Sequence, residues 1–107
     1  MNYKVELSAN FKKEAKKLIK KYPSLKLELA KLFTQLAQNP TAGVSLGNNV
    51  YKIRLAVASK NTGKSGGLRI ISFVKITDSS VLLFSIYNKG EKDTISQKEI
   101  EQLLKKN

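Results

Sequence analysis

Lys52 and Arg54 stand two residues apart in the run Val50-Tyr51-Lys52-Ile53-Arg54-Leu55, where apolar and polar side chains alternate. Alternation of that kind marks a β-strand with one buried face. On such a strand the two cations project from the same face about 6.6 Å apart, a spacing that suits neighbouring phosphates of one nucleic-acid strand. A third cation, Arg69, enters the run Leu68-Arg69-Ile70-Ile71-Ser72-Phe73-Val74, where a guanidinium is costly to bury without an anionic partner. If the two runs pair as a hairpin, the three cations form one cluster. The plainer alternatives are a solvated strand face for Lys52 and Arg54, and a structural salt bridge from Arg69 to Glu91 or Asp93. Phosphate chemistry is what a cluster would serve: guanidiniums stay charged and stabilise a dianionic transition state, while an amine can take or give a proton.

The charge distribution around these residues points the same way. Between Glu28 and Asp78 there is no acidic residue, and Lys31, Lys52, Arg54, Lys60, Lys64, Arg69 and Lys75 all fall inside that gap. Over 107 residues, 20 Lys plus Arg stand against 8 Asp plus Glu, a net charge of +12. A one-sign stretch within such a chain is a footprint for a polyanion. The same composition excludes whole classes of chemistry. There is no His and no Cys, which removes the commonest general base, disulfides, thiolate metal sites and cysteine nucleophiles. Two aspartates and six glutamates, scattered along the chain with four of the glutamates on predicted helices, offer no divalent-cation site, and neither a metal nor a nucleotide cofactor is expected.

Positioning these groups requires a scaffold, and the chain supplies one in recognisable order. Tyr3, Val5 and Leu7 alternate with Lys4 and Glu6, predicting a short strand. Ser8 is placed to cap a helix in which Phe11, Ala15, Leu18, Ile19 and Tyr22 recur at helical spacing and lysines fill the remaining surface. Pro23 ends it, Ser24 is a candidate cap for a second helix carrying Leu25, Leu29, Leu32, Phe33 and Leu36, and the pair should form an antiparallel hairpin. Residues 41 to 49 hold Gly43, Gly47, Asn48 and Asn49 and no charge, and are expected to form a surface loop.

Three strands follow: the Lys52 run, Leu68 to Ile76, and Val81 to Tyr87. The last two are nearly continuous β-branched and aromatic runs, read as antiparallel neighbours with the first of them central. Ser96-Gln97-Lys98-Glu99 is a capping box with Ile95 and Ile100 placed as a hydrophobic staple, so a final helix begins there. The expected fold is therefore α+β, a small antiparallel-rich sheet in the order β-α-α-β-β-β-α with a helical hairpin and a terminal helix packed on it. One domain over residues 1–107 is expected, with 41% apolar residues enough for one modest core. No stretch reads as a secretory signal or a membrane span, which predicts a cytoplasmic protein.

Two loops carry further candidates. Ala58-Ser59-Lys60-Asn61-Thr62-Gly63-Lys64-Ser65 satisfies a relaxed phosphate-loop pattern. It leads into a strand rather than a helix, however, which removes the helix N-terminus such a loop depends on. It reads instead as a basic arm that touches an RNA backbone through Lys60 and Lys64, with Lys75 as a further backbone contact. The segment Tyr87-Asn88-Lys89-Gly90-Glu91-Lys92-Asp93 places an aromatic ring, two lysines and two carboxylates at the sheet edge, where a proton donor and a base-stacking ring are wanted. A polar connector is the plain reading of the same loop.

Val50-Tyr51-Lys52-Ile53-Arg54-Leu55, Gly67-Leu68-Arg69-Ile70-Ile71 and Phe84-Ser85-Ile86-Tyr87-Asn88-Lys89-Gly90-Glu91-Lys92 together resemble the RelE/HigB branch of the RelE/ParE toxin superfamily. The likeness spans nearly the whole chain. It implies a bacterial type II toxin that enters the ribosomal A site, cuts mRNA as a metal-independent endoribonuclease and is restrained by a cognate antitoxin protein. It also implies that Lys52 and Arg54 bind phosphate and serve base chemistry, with Arg69 stabilising transition-state charge. The family's later Arg and Tyr have no counterpart after Tyr87, so Lys89 or Lys92 is left to act as acid and Tyr87 to stack on the base. Two other readings stay open: a ParE-like DNA gyrase inhibitor on the same scaffold, and an RNA- or ribosome-binding module without chemistry.

Overall fold

The computed structural model describes residues 2–60, 67–89 and 95–105. Five strands form one mixed sheet: β1 (Lys4–Leu7), β2 (Val44–Gly47), β3 (Val50–Leu55), β4 (Leu68–Lys75) and β5 (Ser80–Asn88). Three helices accompany it: α1 (Ala9–Lys21), α2 (Leu25–Gln38) and α3 (Gln97–Lys105). The strand order is β1-β5-β4-β3-β2, which puts β4 at the centre as expected. β1 runs parallel to β5 while the other pairings are antiparallel.

The α-helical hairpin starts where its caps predict. Ser8 lies in extended backbone and its Oγ accepts the Phe11 amide at 3.0 Å, satisfying a donor the first turn cannot satisfy itself. At α2 the expected cap differs. Ser24 is already helical and makes no cap bond; its hydroxyl instead lies 2.8 Å from Ser59 Oγ and donates to Glu28 Oε1. With the Ala58 amide donating to Glu28 Oε2 at 2.7 Å, these contacts fasten the 3₁₀ turn Ala58–Lys60 to the start of α2. At α3 the capping box forms in full: the Glu99 amide donates to Ser96 Oγ at 3.1 Å and the Ser96 amide to Glu99 Oε1 at 3.3 Å.

Residues 41–49, expected as a loop, contain strand β2. Val44 and Ser45 pair with Lys52 and Tyr51, and a bulge then brings Gly47 opposite Val50. Four residues of ladder bounded by left-handed Gly43 and Gly47, with Asn48 and Asn49 also at positive φ, leave little room for an alternating pattern to show. The turn signals were correct, and they close a hairpin.

Two apolar clusters sandwich the sheet. On one face α1 and α2 bury Phe11, Leu25, Leu29, Leu32 and Leu36 against Ile53, Leu68, Ile70, Leu83 and Ile86. On the other, α3 brings Ile95 and Ile100 onto Val50, Ile71, Leu82, Phe84 and Tyr87. Among the described residues no helix is long and apolar enough to cross a membrane.

Candidate functional site

Register places the cations. Arg54 on β3 lies directly opposite Arg69 on β4, and Arg69 lies directly opposite Tyr87 on β5. Directly opposed residues share a face with Cβ atoms about 4.5–5.5 Å apart, so Arg54, Arg69 and Tyr87 form one row across three strands. Lys52 is two residues from Arg54 on the same face, opposite Ile71. This is the face of α3, since Val50, Ile71 and Tyr87 belong to the cluster that packs on that helix. The three cations expected to converge therefore share one surface.

Their exposures grade across the row. Arg54 is exposed, Lys52 is half-buried, and Arg69 and Tyr87 are each 3% exposed. The Arg69 Nη1 donates to the Leu68 carbonyl at 3.3 Å, which anchors the guanidinium beside its own strand. Like charges set directly opposite each other across a ladder are destabilising, and an anion lying over the pair relieves that repulsion. The backbone thus sets two guanidinium-bearing residues opposite each other on one face.

β2 stops opposite Lys52, so that among the described residues the β3 edge at Ile53–Leu55 has no strand neighbour on that side. A groove of about 490 Å³ opens along that edge between α2 and the Gly43–Val44 corner, lined by Leu32, Gln35, Ile53 and Leu55 on the helical-hairpin side and by Lys52 and Arg54 at the strand edge. That is room for a nucleotide-sized group. Gly43 sets its wall: at φ +103°, a Cβ on this residue would lie 2.5 Å from the Lys52 carbonyl oxygen. Sequence reasoning took Gly43 only as a turn former, and its close approach to the Lys52 backbone has no signal beyond the glycine itself.

The other candidates divide. Lys89 is exposed one residue beyond the end of β5 and two beyond Tyr87. Lys75 is not brought to the row. It sits at the far end of β4, four residues past Ile71, and its Nζ pairs with Glu6 Oε1 at 3.5 Å. The charge gap in the sequence suggested it as an RNA-backbone contact, and its place on the strand is about 13 Å from Ile71 at the usual rise. Lys60 closes the 3₁₀ turn; its side chain, together with Lys64, Lys92, Glu91 and Asp93, lies outside the described residues. No group of His, Cys, Asp or Glu able to hold a metal ion occurs among the described residues.

A second groove, of about 470 Å³, lies away from the row between α1 and α2. Its floor is Phe11, Ala15, Ile19, Leu29 and Phe33, and Lys12, Lys16, Lys20 and Lys26 stand around it.

Comparison with known proteins gives a consistent result. A family model described as "RelE toxin of RelE / RelB toxin-antitoxin system" matches residues 3–106. Among solved structures, the chain is similar to an arginine-to-alanine double mutant of the E. coli toxin RelE in the free state. The TM-score is 0.64 at 16% identity, over 99% of this chain and 98% of that one. The isolated E. coli RelE toxin gives a TM-score of 0.62 at 18% identity, over 98% of this chain and 99% of that one. The intact E. coli RelBE toxin-antitoxin complex gives 0.62 at 20% identity, over 80% of this chain and 95% of that one. At these identities the structural likeness establishes the fold. Comparison with curated proteins returns no match.

Proposed function

Because the chain belongs to the RelE toxin family of toxin-antitoxin systems, we propose that it is a bacterial type II toxin that cuts mRNA on the ribosome, in the cytoplasm. The observation that carries this reading is the row Arg54, Arg69, Tyr87 with Lys52 on the same face. Cations gathered on one face suit a phosphodiester.

RNA carries its own nucleophile. The 2′-hydroxyl attacks the adjacent phosphorus, the bond to the 5′-oxygen breaks, and the products are a 2′,3′-cyclic phosphate and a free 5′-hydroxyl. The protein has three tasks in this scheme. Lys52 takes the proton from the 2′-oxygen; Arg54 and Arg69 neutralise the phosphorane; Lys89 or Lys92 gives a proton to the departing 5′-oxygen. Tyr87, 3% exposed and packed in the cluster under α3, supports the row at the β5 end and offers no open ring face for a base to stack on. Because each task is met by a charged or proton-bearing side chain, the scheme runs without a metal ion.

The partner in this reading is a cognate antitoxin. The E. coli relative is known in a complex with its antitoxin, and an acidic, partly apolar segment complements both the cation row and the lysine-rimmed groove between α1 and α2.

Mapping transcript 5′ ends after adding the purified protein, with and without ribosomes, tests the reading. The expected result is new ends within coding sequence, with cyclic-phosphate products, only when ribosomes are present. Intact message with DNA-damage signalling in cells overturns it in favour of a gyrase inhibitor. Ribosome binding without new ends reduces the protein to a binding module.

A further inference from the structure

β5 contains an irregularity on which the row depends. Ser72 on β4 opposes Leu83, but the next residue back, Ile71, opposes Ser85, so Phe84 is an extra residue on β5. A one-residue excess of this kind exchanges the faces of everything beyond it. With the bulge, Ile86 opposes Ile70 under α1, and Tyr87 opposes Arg69 on the cation face. If β5 slid by one residue to close the bulge, Ile86 would stand against Arg69 and Tyr87 would turn beneath α1.

Hydrophobic alternation does not prevent that slip. All nine residues of β5 are buried, so both of its faces are covered and both accept apolar side chains. Register in such a strand has to be fixed by polar contacts. They come from α1, which takes over beside β5 where β1 has ended at Leu7. Asn10 Nδ2 donates to the Phe84 carbonyl at 2.9 Å and to Glu14 Oε1 at 2.9 Å. Glu14 Oε1 also accepts the Ser85 hydroxyl and the Ile86 backbone N–H, each at 3.2 Å. One carboxylate oxygen and one amide nitrogen thus grip three consecutive residues at the bulge. A further polar contact on this face, Asn88 Nδ2 to Tyr22 Oη at 3.1 Å, holds the end of the strand.

We infer that Glu14, supported by Asn10, is a positioning residue that holds the β5 bulge and thereby keeps Tyr87 on the cation face opposite Arg69. This rests on the ribonuclease reading for its effect on turnover, but its structural part stands separately. Glu14 touches neither Arg69 nor RNA; it acts through the register of β5.

The test uses Glu14→Ala, Glu14→Gln and deletion of Ser85, alone and combined with Glu14→Ala. Register is read from cross-strand NOEs, and turnover from cleavage of ribosome-bound message. Glu14→Ala is expected to replace the Arg69–Tyr87 and Ile70–Ile86 NOEs with Arg69–Ile86, and to lower kcat by on the order of 10²-fold while leaving KM, set by the β3 and β4 cations, nearly unchanged. Glu14→Gln keeps the accepting Oε1 and should retain both register and turnover. Deleting Ser85 removes the extra residue and leaves Tyr87 opposite Arg69, so in that background Glu14→Ala should no longer shift the register. If Glu14→Ala does not fold, rescue of folding and turnover by the same deletion supports the inference, and failure to rescue overturns it. Retention of the Arg69–Tyr87 NOEs in folded Glu14→Ala overturns it, showing that other contacts of β5 hold the register. A slipped register with undiminished kcat overturns the link to turnover. If the wild type cuts no message, the ribonuclease reading falls while the NOEs still decide the role of Glu14 in the bulge.

Discussion

The two faces of the sheet are built to different ends. Under α1 and α2, the buried cluster around Leu25, Leu36, Leu68, Ile70 and Leu83 is apolar, and the Glu14 carboxylate beside it is hydrogen-bonded to Ser85 and Ile86 of β5. On the α3 face, an apolar cluster of similar composition is continuous with a row that includes Arg54, Arg69 and Lys52. An apolar face stabilises by removing area from water, at about 25 cal/mol per Å². A face that holds two guanidiniums directly opposite each other gives up part of that stabilisation. The helical hairpin face therefore supplies the stability that the cation face spends.

That contrast can be broken by substitution. The largest effect is expected from Lys52→Ala, which should lower cleavage by about 10²–10⁴-fold if the amine is the base, with the melting temperature unchanged. A kinetic profile like wild type would remove Lys52 from the chemistry, and a large drop in melting temperature would show that the cation face is also structural. Leu25→Ala, at a fully buried position, should do the reverse. It is expected to cost about 2–5 kcal/mol in denaturant unfolding, with kcat per folded molecule preserved.

Arg69 sharpens the comparison because it is as buried as a core residue yet lies in the row. Arg69→Met, which keeps length and apolar contact, should reduce kcat by about 10²–10³-fold with a much smaller change in unfolding free energy than Leu25→Ala produces. Equal loss of stability in the two variants would make Arg69 a core residue first.

Gly43→Ala probes the border of the site. Its positive φ and the proximity of the Lys52 carbonyl predict a cost of about 1–3 kcal/mol. KM for message should rise with it as the groove wall shifts, and an unchanged KM would separate the β2 corner from the site. The smallest effect is expected from Ser96→Ala, which removes one partner of the α3 capping box and should cost about 1 kcal/mol with kcat intact.

How far the sequence carries toward this structure differs by element. The α1 cap at Ser8, the stripes of α1 and α2, the apolar run of β4 and the α3 capping box each rest on local chemistry, and each appears in the structure where local chemistry puts it. Lys52 and Arg54 share a face for the same local reason. That Arg54 meets Arg69 depends on how β3 and β4 align across the intervening loop, which periodicity does not encode. Lys75 looked like a member of the basic set because only composition was visible, whereas its ion pair with Glu6 follows from β1 lying beside β5. The β5 bulge is least legible of all: Val81 to Tyr87 reads as a continuous apolar strand, and only Ser85 hints at a polar contact. β2 escaped because its ladder is four residues long and bracketed by glycines.

The parallel pairing of β1 with β5 ties Lys4 to Ser80 and Leu7 to Leu83. An early strand thus waits for one made more than seventy residues later, and contacts of that span close slowly. Because β5 also carries Tyr87, a growing chain cannot assemble the row until its last strand has emerged. Until β5 has emerged, a nascent chain holds Arg54 and Arg69 without the third strand of the row.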